Sequence, residues 1–241
     1  MNGTVARLTR MNLLRGWRGA LLTIFPFAQL LLSVGVRFIT TDTPQGQRAA
    51  MTFVLGGLTM GTVVPLIALI VGTGAISTEV DDGSIVYLLT KPLKRWKIVV
   101  TKFVVATVAA IVLTAVPTYL AGLIISGSAG GAALVYGVAA AISCVVYCAL
   151  FVLLGVLSRQ AVIIGLMYIL LWENLIAGLV SGAKVLSVQY WSVALAAKLA
   201  PGTVSGEVNV IAAAVLAAVV TVGAVVYAGR RLRSLTLASE A

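Results

Sequence analysis

Histidine is absent from this sequence. Its absence excludes histidine metal sites and imidazole acid–base catalysis, the usual equipment of hydrolytic centres. Cysteine is nearly as scarce. Cys144 and Cys148 stand four residues apart in an apolar run, giving neither a disulfide framework nor a metal spacing, and they read as small packing residues. Seven acids face seventeen bases in 241 residues. Charged residues make up only 10% of the chain, against about 25% in a soluble domain, and 61% are hydrophobic. This composition belongs to an integral membrane protein. The net charge of +10 does not indicate nucleic acid, because the bases flank apolar runs instead of covering a soluble face. No G-x-x-x-x-G-K-[ST] phosphate loop occurs. No Pro- or Ser-rich linker and no internal repeat divides the chain, so residues 1–241 are expected to form one domain.

What the chain has is apolar length. Six runs reach the roughly 20 residues that a bilayer requires, at approximately 19–39, 51–76, 98–125, 132–157, 161–180 and 208–228. The first follows a basic stretch but lacks a small-x-small cleavage signal, so it is expected to remain as a span. Pro65 and Pro117 are expected to kink the second and third spans. Arg7, Arg10, Arg15 and Arg18 fall in one sector of a helical wheel, which fits either an N-terminal amphipathic helix on the membrane surface or a merely basic flank. With both termini cytoplasmic, thirteen bases lie inside and four, Arg37, Arg48, Lys184 and Lys198, lie outside, a strong positive-inside bias. The fold class is therefore all-α, with six transmembrane helices and cytoplasmic ends.

The longest polar interval between spans runs from Ile76 to Lys102. It carries Glu79, Asp81 and Asp82, then Lys91, Lys94, Arg95, Lys97 and Lys102. Between the charge clusters, Ile85 to Leu89 is too short to span a bilayer. The pattern predicts a short helix, capped by Asp82, opened by Gly83 and Ser84 and stopped at Lys91-Pro92. Its apolar side suits an interfacial helix in the headgroups or a docking element for a cytoplasmic partner. Between the fifth and sixth spans, Ser187 is placed to cap a second short helix reaching Lys198, with Val188, Trp191, Leu195 and Leu199 on one side. Small-xxx-small spacings at Gly57/Gly61 and Gly178/Gly182 would allow close helix approach, within the bundle or in a dimer.

One acid stands inside a span. Glu173, between Trp172 and Asn174, would cost about 2.5–3.5 kcal/mol at the centre of a membrane helix. It is expected to face a partner helix, a cavity or a subunit interface, bonded to Asn174 or a hydroxyl. Two roles fit it: a gate or cavity residue, with Trp172 and Asn174 beside it, or a hydrogen-bonding pin between helices.

The order Glu79-Val80-Asp81, Gly83-Ser84, Leu88-Leu89, Pro92 to Arg95 and then Lys102 resembles the loop after the second span in permease subunits of the ABC type-2 exporter family. The six-span topology, basic N-terminal segment and helical segment before the last span are similar too, as is, more weakly, the Trp172-Glu173 pair. The resemblance implies that the loop is a coupling helix docking on a separate ATP-hydrolysing subunit. Gly83, Ser84, Ile85, Val86, Leu88, Leu89 and Thr90 would then make the contact, and Lys91, Pro92, Lys94 and Arg95 its exit. Lys91 departs from the pattern, since many relatives carry a small or neutral residue there. Glu79 and Asp81 would pair with Lys102 and brace the loop. The family works as a permease pair, two copies or a copy and a paralogue, with two ATPase subunits in the cell membrane. ATP and Mg would sit on that partner, and this chain would carry no cofactor or catalytic residue. An ion-gradient carrier would require more intramembrane ionisable groups than Glu173. A lipid-modifying enzyme would require a catalytic constellation that these residues do not supply. A non-transporting signalling or immunity subunit with the same fold is also compatible with the sequence.

Overall fold

The computed structural model describes residues 17–40, 43–75, 95–127, 131–158, 160–204 and 206–237. Every regular element among them is helical. In order these are α1 (Trp17–Ile39), α2 (Pro44–Met51), a π-helical stretch Thr52–Val63, α3 (Val64–Gly74), α4 (Arg95–Ser126), α5 (Gly131–Leu157), α6 (Ala161–Met167), a second π-helical stretch Tyr168–Ile176, and α7 (Ala177–Leu179). A 3-10 turn (Ser181–Leu186), α8 (Val188–Ala196), a further 3-10 turn (Ala197–Leu199) and α9 (Val210–Leu237) complete the chain.

Six of the helical segments among the described residues are long and apolar enough to cross a membrane: Leu22–Ile39, Gln45–Gly74, Val99–Ser126, Gly131–Leu157, Ala161–Leu179 and Val210–Arg231. Each of the six expected spans is therefore found, with ends shifted by a few residues. The expected N-terminal amphipathic segment lies outside the described residues.

The fourth span, α5, is the centre of the bundle. It packs against α3, α4, α8 and α9, while α1 packs on α4. Its composition explains this position. Ala139, Ala140, Cys144, Cys148 and Ala149 keep its surface thin, so neighbouring helices come close around Tyr147 and Phe151, whose rings stack at 5.9 Å. Both cysteines are free thiols and buried, as packing residues should be. The hydroxyl of Thr114 lies 2.9 Å from the Cys144 sulfur and also donates to the Ala110 carbonyl one turn back.

The first, fifth and sixth spans are peripheral and carry exposed large apolar side chains, including Phe27, Leu31, Ile163, Leu170, Ile211 and Val219. In a membrane such surfaces meet lipid chains or another protein, so their exposure is no defect. Pro117 sits within an uninterrupted α4. Pro65 instead stands at the start of α3, where the π-helical stretch hands over to α-helix.

Candidate functional site

Proline has no N–H, so within a helix it leaves the carbonyl four residues earlier without its usual donor. For Pro65 that carbonyl belongs to Gly61. The side chain of Asn174, from the fifth span, supplies the missing donor: its Nδ2 lies 2.9 Å from the Gly61 oxygen and 3.0 Å from that of Ile169. A second amide repeats the device one turn away, with Gln189 of α8 donating to Gly56 O at 2.7 Å. Glycine at 61 is what admits them. A Cβ there would stand 3.0 Å from Asn174 Oδ1 and 3.3 Å from Gln189 Oε1. The second span, the fifth span and α8 thus meet through backbone carbonyls and two amide side chains.

Glu173 closes the same junction from the other side. Its carboxylate is 2% exposed. Oε1 accepts from the Tyr168 hydroxyl at 3.0 Å and from the backbone N–H of Val188 at 3.1 Å, and Oε2 accepts from the Ser187 hydroxyl. The buried Tyr147 hydroxyl faces the same carboxylate but lies outside hydrogen-bonding geometry. Val188 opens α8, so the acid serves as the cap of a helix that belongs to a different part of the chain. Three donors and the positive end of a helix are the surroundings a buried carboxylate needs to offset its desolvation. The π-helical winding of residues 168–176 carries Tyr168, Glu173 and Asn174 to this junction together. Such windings cluster at functional sites. Two indoles add to the hold on the 3-10 turn: Trp172 donates to Leu186 O at 3.3 Å and Trp191 to Val185 O.

Three expectations are corrected here. Ser187 precedes α8 but does not cap it through its own side chain, and the hydroxyl goes to Glu173 instead. The helix is also shorter than expected, ending at Ala196 with a 3-10 turn through Leu199, which is exposed. Of the two kinds of partner expected for Glu173, hydroxyls hold it, those of Tyr168 and Ser187, while Asn174 turns to the Gly61 carbonyl. Gly178 and Gly182 share no helix face, since α7 stops at Leu179, and a Cβ on either would meet nothing within 4 Å.

The loop expected to dock a partner falls elsewhere in the chain. Glu79, Asp81, Gly83, Ser84, Ile85, Val86, Leu88, Leu89, Thr90, Lys91, Pro92 and Lys94 lie outside the described residues, and Arg95 is the first residue of α4. Lys102 is described. Its ammonium is buried at 2% exposure and donates to the carbonyl of Ala75 at 2.7 Å, tying the third span to the end of the second.

With this architecture in place, comparison with protein families gives a match over residues 28–228 to the family described as ABC-2 family transporter protein. The chain belongs to the ABC-2 transporter family. No curated protein matches it in sequence. As an ABC-2 permease chain it is a multi-pass membrane component of a transporter, of a family whose membrane domain lacks an ATPase site of its own. The Glu173 junction therefore lies in the transmembrane part of a transport protein. Sequence reasoning found Trp172, Glu173 and Asn174 but missed Gly61 as the partner of Asn174, and missed Gln189, which bonds Gly56 beside it. The legible signal was Pro65, which announces an orphan carbonyl at position 61.

Proposed function

We propose that this chain is the membrane half of an ATP-driven exporter in the cell membrane. In this reading it forms the substrate path as a pair, with a second copy or a paralogue. It is coupled through residues 77–97 to a separate ATPase, present as two subunits, that binds ATP and Mg. Both termini face the cytoplasm, and residues 1–241 act as one domain. The observation that carries this reading is the loop sequence, read within the family membership: an acidic start, a five-residue apolar patch and a basic Pro-x-x-Arg exit between two spans.

Lys102 supports it. A buried ammonium is stable only with a counter-charge close by. Glu79 and Asp81 follow Ala75, the residue whose carbonyl Lys102 already holds. An ion pair there would join the roots of the loop and let a push on Leu88 and Leu89 reach both spans instead of being lost in loop motion. ATP-driven closure of the partner subunits would then shift the second span against the fifth across the Asn174–Gly61 contact, with Glu173 carrying α8 along. Such a device works only if its contacts differ between two states.

The test is co-purification. Leu88→Asp with Leu89→Asp should abolish recovery of the partner ATPase while the protein still inserts; undiminished recovery sinks the docking claim. For Glu173, Gln should retain assembly and alter transport-linked ATP hydrolysis. A fall in protein yield alone would leave it a structural pin.

A further inference from the structure

Above the Glu173 junction, the second span, the start of α5, α8 and the segment before α9 enclose a cavity of about 440 Å³. That is within the range of pockets for small ligands, about 300–1,000 Å³. Its floor is mostly apolar: Met51 and Tyr136 are buried, and Val193 is partly so. Its rim is charged, with Arg48 and Glu207 both exposed. Gly57 leaves room in the wall, since a Cβ there would meet only the Thr52 carbonyl, at 4.0 Å.

The charges on the rim are not equivalent. Glu207 is paired with Lys184, and that hydrogen bond holds the lysine above its ordinary value. Arg37, another cation at this end, donates to Ile125 O at 3.1 Å. The guanidinium of Arg48 makes no hydrogen bond or ion pair among the described residues; Thr52 bonds only its backbone carbonyl. Other polar groups of the lining are engaged as well, Gln189 with Gly56 and the exposed Thr203 hydroxyl with Ala200 O. The cavity therefore offers one uncommitted cation, shaped to take a planar or tetrahedral anion through its fork of N–H groups, above an apolar floor.

We propose that this cavity binds an amphipathic anion, its phosphate- or carboxylate-type head on Arg48 and its apolar body against Met51 and Val193. A membrane phospholipid and a free amphiphile share that chemistry. The inference is independent of the ATPase coupling, because binding is read without nucleotide or partner.

The experiment uses the full chain in a neutral maltoside detergent, titrated with dodecyl phosphate and followed by native mass spectrometry. One dodecyl phosphate should be retained per chain. Arg48→Gln should weaken retention roughly tenfold or more, as loss of a charged hydrogen bond implies. Gly57→Leu, whose Cβ enters open space and whose longer side chain occupies the wall of the cavity, should weaken it as much. Lys198→Gln removes an exposed cation outside the cavity and should leave retention unchanged. Equal loss in the Lys198 variant, or retention indifferent to both cavity variants, overturns the proposal. Thermal unfolding of each variant checks that the fold is kept. Phosphatidylglycerol, added as competitor, separates the sources: displacement supports the site with lipid as its occupant, and persistence of dodecyl phosphate supports it with a free amphiphile.

Discussion

Replacing Asn174 by leucine removes the donor that Pro65 makes necessary, and it leaves the Gly61 carbonyl buried without a partner. The expected cost is about 1–3 kcal/mol, read as a lowered thermal midpoint in detergent. The physical cause can be isolated. Pro65→Ala restores an N–H at position 65, so in the Asn174→Leu background it should recover part of the loss, although the same change alone offers no gain. A double-mutant cycle measures that coupling, and strict additivity would refute the account. Glu173 gives a second contrast at this scale. Alanine strands the Val188 N–H and two hydroxyls, whereas glutamine keeps one acceptor for the N–H and lets the hydroxyls reverse their roles. Glu173→Ala should therefore destabilise clearly more than Glu173→Gln by the same measurement; equal losses would mean that charge, not hydrogen bonding, is what the site requires. That an acid lies within the fifth span was visible in the sequence. Its partners Ser187 and Val188 were not, because they reach it only after the chain has left the span and turned back.

At the scale of helices, close approach depends on which face meets a neighbour, and residue spacing does not reveal that. The glycines with motif spacing include Gly178, where an added Cβ would meet nothing within 4 Å. The contact between the third and fourth spans is made instead by Gly122, where a Cβ would come within 2.8 Å of the Ala133 Cα, a backbone atom that cannot swing aside. Gly122→Ala should cost about 1–3 kcal/mol through overpacking, and Gly178→Ala should stay within about 0.5 kcal/mol. Thermal unfolding of the two variants side by side checks the ranking. A reversed order would mean that Gly178 is covered in the solution assembly. The extents of the helices were legible because a bilayer demands unbroken apolar length. The π-helical stretches were not, since no local propensity in these apolar residues distinguishes such winding from an ordinary α-helix.

For the molecule as a whole, the proposed topology makes a direct prediction. Both native thiols are buried, so they can be replaced by alanine to give a quiet background for single introduced cysteines. Tyr87→Cys should then be labelled only from the cytoplasmic side and Thr203→Cys only from the opposite side. Labelling of Tyr87→Cys from outside the cell would end the coupling proposal, since the loop would lie on the wrong face for an ATPase.

Composition and apolar run length by themselves determined that this is a helical membrane protein with six spans, because the bilayer sets the same length requirement for every crossing. They also marked Glu173 as a buried acid needing partners. Only the tertiary structure decided the pairings: that Asn174 answers Pro65 across the bundle, that Glu173 caps α8, and that the Arg48 guanidinium, unpaired among the described residues, stands at the rim of a cavity. These pairings join residues far apart in the chain. They follow from which helices pack together, and the spacing of residues along any one helix does not contain that information.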